Sequence, residues 1–98
     1  MDIENVFETI EYDVEKYLDF LCEICAFEAK AENKQTIDAM IDYIAEFAKE
    51  EGFQVTRTKL ELCGDFLSID INKGAEKGCV FLAHTDTVHE KGIFGQDP

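Results

Sequence analysis

Apolar residues recur at Ile10, Val14, Leu18, Leu21 and Cys25, three or four positions apart. That spacing predicts a helix of about four turns with one face packed. Residues 26–33 read as a connection, although its alanines could prolong the helix. A second stripe, Ile37, Met40, Ile41, Ile44, Phe47 and Ala48, predicts a helix over residues 34–51. Gly52 follows it, where a left-handed stop costs least. Both stripes are expected to be core.

Beyond Gly52 the period drops to two. Phe53, Val55 and Arg57 alternate with Gln54, Thr56 and Thr58, which predicts a strand with one packed face. Cys63-Gly64-Asp65 can turn the chain, and Leu67, Ile69 and Ile71 then alternate with Ser68 and Asp70 in a second strand. Residues 72–78 hold two glycines and several charges and read as a loop. Cys79-Val80-Phe81-Leu82-Ala83 is continuously apolar, the pattern of a central strand covered on both faces. The expected fold class is α/β, with two helices followed by a three-stranded part of a mixed sheet. Short turns favour antiparallel neighbours. The 15 residues after Ala83 are too few to cover the sheet's second face, so the fold reads as incomplete.

At 98 residues the chain has the size of one small domain, and with 46% hydrophobic residues it is not a disordered tail. Its 22 acidic and 9 basic side chains leave a formal charge of -13. Such a surface repels phosphate backbones and anionic lipid, which argues against nucleic acid and membrane as partners. No apolar run approaches the roughly 20 residues that span a bilayer. Asp2 and Glu4 stand where a signal peptide carries positive charge, so the cytoplasm is the expected location. There Cys22, Cys25, Cys63 and Cys79 are expected to be reduced. Cys22 and Cys25 form a C-x-x-C, a spacing used by zinc and redox sites. No second pair accompanies it and it lies on the helical stripe, so core packing is expected instead. Glu15, Asp19, Glu23, Asp38, Asp42 and Glu46 read as a solvated helix face.

The chemistry-bearing stretch is His84-Thr85-Asp86-Thr87-Val88, directly after the apolar run. In extended chain His84 and Asp86 project to the same side. An imidazole can ligate zinc through one nitrogen while a carboxylate accepts the other N–H and fixes the tautomer. A bare H-x-D on its own better fits a histidine with its tip in water beside an acid in a turn. His89 reads as a solvated loop residue, and Glu90 and Asp97 receive no role.

An apolar strand ending in H-T-D-T-V, followed by Lys91-Gly92-Ile93-Phe94-Gly95-Gln96-Asp97-Pro98, closely resembles the cocatalytic zinc metallopeptidase and deacylase family. That family includes glutamate carboxypeptidase, acetylornithine deacetylase, succinyl-diaminopimelate desuccinylase and peptidase T. The two helices, Gly52-Phe53 and Gly64-Asp65 also resemble the family's opening, so the likeness runs from about Tyr12 onward. Cys25-Ala26, where the family often has a serine, departs from it. The resemblance implies that His84 ligates one zinc and that Asp86 clamps its ring. It implies hydrolysis of an amide bond in small peptides or N-acyl amino acids by an intact parent enzyme holding two zinc ions, with cobalt or manganese as alternatives. The family's bridging Asp, Glu-Glu pair, further acid and late His have no counterpart here. Residues 1–98 would then be the N-terminal part of a catalytic domain, without its remainder and without the inserted dimerisation domain. A catalytic zinc takes about three protein ligands. The isolated chain is thus expected to be inactive, metal-free or weakly metal-bound, and self-associating through its open sheet. The alternative is a stand-alone acidic interaction module without catalytic activity.

Overall fold

The computed structural model describes residues 2–72, 74 and 76–88. Its elements are α1 (Ile3–Cys25), α2 (Lys34–Glu50), β1 (Gln54–Thr58) and β2 (Phe66–Asp70), a small α/β arrangement. Residues 89–98, including His89, Glu90 and Asp97, lie outside the described residues.

Helix α1 starts well before Ile10 because Asp2 caps it. The Asp2 carboxylate accepts the Glu4 N–H at 3.0 Å, and its carbonyl accepts the Val6 N–H at 3.2 Å. Glu4 adds an acid in the first turn, where the helix dipole favours negative charge. At the other end, backbone bonds from Ala26 to Cys22 and from Glu28 to Cys25 close the last turn. Glu28 takes a left-handed conformation, φ 47°, as the chain reverses.

Helix α2 opens on Asn33, whose side chain accepts the Thr36 N–H at 3.1 Å. It ends at Gly52, φ 87°, as expected. The Gly52 N–H donates to Lys49 and the Phe53 N–H to Ala48, both at 3.0 Å, which satisfies two carbonyls the helix leaves unpaired. Most of the predicted stripe is core. Ile37, Met40 and Ile41 are buried with Ala29, and Ile24, Phe27, Ile44 and Leu67 pack around them.

The α1 stripe is a different matter. No residue of α1 is fully buried, and Ile10, Val14, Leu18 and Leu21 are exposed. The face that meets α2 instead carries Phe20, whose ring stacks on Phe47 at 4.0 Å and on Tyr43 at 5.8 Å. Phe27 tilts against Tyr43 at 5.9 Å, and Lys16 pairs with Glu51. At 3.6 residues per turn this face lies roughly 110° around the axis from the predicted stripe. Large planar rings bury more area per contact than the aliphatic stripe, and α2, the element packed on α1 among the described residues, takes them. Cys22 and Cys25 turn outward in consequence, and all four cysteines are exposed free thiols, not core.

The sheet has two strands. β1 and β2 pair antiparallel in the register Gln54↔Asp70, Thr56↔Ser68 and Thr58↔Phe66. Val55 and Arg57 are half-buried and their neighbours exposed, the alternation predicted. The turn after β1 is held by close approach: a Cβ on Gly64 would sit 2.1 Å from Ile37 Cγ2, so only glycine fits beside α2.

The expected third strand does not form. Residues 79–83 have no strand pairing, and Val80, Phe81 and Leu82 are almost fully exposed. A strand apolar on both faces needs a neighbour along its edge and a covering layer on each side. The described residues supply a hairpin with α2 on one face, and nothing for the other. Among the described residues no helix is long and apolar enough to cross a membrane.

Candidate functional site

The segment carrying His84 and Asp86 is anchored to the connection between the helices, not to the sheet. The Thr87 N–H donates to the Ala29 carbonyl at 2.7 Å, and Lys30 and Thr87 form an isolated parallel bridge. Ala29 is wholly buried, so this anchor point is fixed by the core.

Three residues before that anchor, the His84 ring folds back on its own chain. Its Nδ1 lies 3.1 Å from the Asp86 carbonyl oxygen and 3.3 Å from Asp86 Oδ1. With the proton on Nδ1 the ring donates toward both oxygens, which leaves the Nε2 lone pair available to an electrophile. The ring is 83% exposed and Asp86 40% exposed, so solvent reaches both. Chemically this is one imidazole with Nδ1 held against Asp86 from behind. Among the described residues no group of three or more His, Cys, Asp or Glu side chains is placed to hold a metal ion. The residues present therefore fit one ligand of a metal and not a whole coordination sphere.

A second polar constellation lies between α2 and the hairpin. The Asp65 side chain, 4% exposed, accepts from Lys34 Nζ at 2.8 Å, from Arg57 Nε at 2.8 Å and from the Leu60 N–H at 3.1 Å. Its own N–H donates to Asp38 Oδ1 at 2.8 Å. Lys34 also reaches Asp38 Oδ2 at 2.8 Å, and Arg57 pairs with Asp42. The Lys34 ammonium, the Leu60 N–H and the Arg57 guanidinium hold the Asp65 carboxyl far below its ordinary value, against the opposing effect of burial. Lys34 likewise holds Asp38 low, and Asp38 and Asp65 raise Lys34 in return. Every member is satisfied by a neighbour, so the cluster is built to hold the hairpin on α2.

Family models, curated proteins and solved structures give no match to this chain.

Of the residues predicted from sequence, His84 and Asp86 are brought together. Cys22 and Cys25 are not joined to them. Asp38 and Asp42 are not a merely solvated face, since they take the Lys34 ammonium and the Arg57 guanidinium. One signal pointed to this cluster: Arg57 occupies an inward position of an alternating strand, where a cation needs a carboxylate partner.

Proposed function

We propose that the chain is the N-terminal segment of a cytoplasmic zinc-dependent peptidase or amidohydrolase that cleaves an amide bond in small peptides or N-acyl amino acids, and that the segment alone is inactive. The supporting observation is the His84 ring set with Nδ1 against Asp86 and Nε2 left as a donor. In this reading His84 ligates one of two metal ions through Nε2, and Asp86 orients the ring by accepting from Nδ1. Bound zinc would supply Lewis acidity toward a carbonyl and an acidified water. The remaining ligands and the general base come from other parts of the intact enzyme.

The test is made on the intact enzyme. His84→Ala is expected to abolish hydrolysis, and Asp86→Ala to lower metal affinity or turnover by about 10-fold or more. Activity at the unsubstituted level in both variants excludes these roles. The exposed apolar face of α1 favours a second reading, a non-catalytic interaction module. Turnover that depends on His84 decides against it.

A further inference from the structure

The most unbalanced surface of the molecule is along α1. Ile3, Phe7, Ile10, Val14, Leu18 and Leu21 fall on one side of the helix, each between 45% and 63% exposed. They recur at three- and four-residue steps from Ile3 to Leu21, a stripe about 28 Å long on the helix. Contiguous apolar surface of this extent marks an interaction site.

Beside the stripe, at steps of three or four residues, runs an edge of Glu4, Glu8, Glu11 and Glu15. All four are exposed, and among the described residues no cation pairs with any of them. The helix holds seven acids and one lysine, and that lysine, Lys16, is engaged by Glu51. Pairing α1 with a second copy of itself would bring two such helices together, within a chain of net charge -13. Like charges at that spacing oppose association. A helix with the same apolar seam and a row of lysines or arginines beside it meets both features at once.

We infer that α1 is a docking surface for an amphipathic helix of a partner chain that carries a basic edge. The apolar seam supplies contact area, and the glutamate edge selects the sign of the partner and its orientation. This inference does not involve His84, and its test reads peptide binding and not turnover.

The test uses the full chain and three synthetic helical peptides of roughly 24 residues, enough to span α1. One has a leucine seam with lysines on the flank, one the same seam with glutamates, and one the lysine composition with the seam scrambled. Binding is followed by calorimetry at low and at raised salt. The lysine-flanked peptide is expected to bind at least about 10-fold more tightly than either other peptide, with the advantage shrinking as salt screens it. Ile10→Glu is expected to remove binding while helix content by circular dichroism persists. The triple variant Glu8→Lys, Glu11→Lys, Glu15→Lys is expected to invert the preference toward the glutamate-flanked peptide. Equal binding of the lysine-flanked and scrambled peptides, no binding of any peptide, or a stable homodimer dissolved by Ile10→Glu overturns the inference.

Discussion

A carboxylate that accepts three hydrogen bonds, two from cations, resists protonation. Asp65 is in that position, and its pKa in the fold is far below the ordinary 3.8. Because the folded value is depressed, Asp65 contributes stability above the unfolded value, near pH 4, and this is lost as pH falls below it. Asp38, also depressed, acts in the same window. Lys34 acts at the other end: its raised pKa contributes below about 10.5 and is lost as pH climbs past its folded value. Thermal melts are therefore expected to show a plateau near neutrality and a steep fall below pH 4. Asp65→Asn is expected to lower Tm by about 5 °C or more at pH 7 and to flatten that acid limb. A variant that melts like the parent both at pH 7 and along the acid limb below pH 4 removes Asp65 from the account. Without the Asp65 charge, Lys34 keeps only Asp38 and Arg57 only Asp42, both more exposed than Asp65.

Among elements, α2 is the organiser. It buries Ile37, Met40 and Ile41, receives the hairpin on one side and receives Phe20 on another. Its stripe and its glycine stop were legible in the sequence because one helix face does nearly all the packing there. The α1 stripe was legible as a helix but not as a surface. Periodicity shows which residues share a face, and only the available partners show which face is covered. Residues 79–83 failed for a related reason: an apolar run states that a strand could be buried, not that a neighbour is present. His84 and Asp86 were legible as a pair because two-residue spacing needs no distant partner. The salt-bridge cluster was not, since it joins residues 34, 38, 42, 57 and 65. The contact between the helices rests on few side chains, chiefly Phe20 and Phe27 against Tyr43 and Phe47. Phe20→Ala is expected to cost about 2–4 kcal/mol, somewhat less than a fully enclosed aromatic. Hydrogen exchange should show α1 loosening first while α2 and the hairpin remain protected. Uniform loss of protection would instead mean that the helices and hairpin unfold as one unit.

For the molecule as a whole, hydrophobic surface exceeds what the fold covers. The core is small, while α1 and residues 80–82 present apolar side chains to solvent. Zinc titrated into the purified chain is expected to bind at His84 no more tightly than one exposed imidazole allows, and His84→Ala is expected to remove that component of binding. Tight one-to-one zinc that survives His84→Ala would place the ligands elsewhere.

The link from Thr87 to Ala29 carries a mechanical corollary. The Thr87 bond to Ala29 and the Lys30 bridge join the imidazole's stretch of backbone to the bend after α1, and among the described residues neither β1 nor β2 pairs with it. One residue inserted between Glu28 and Asn33 would displace the ring yet leave the Gln54↔Asp70 pairing intact. The reach of His84 is set by the length of a helix-to-helix bend, far away in sequence from the ring it steers.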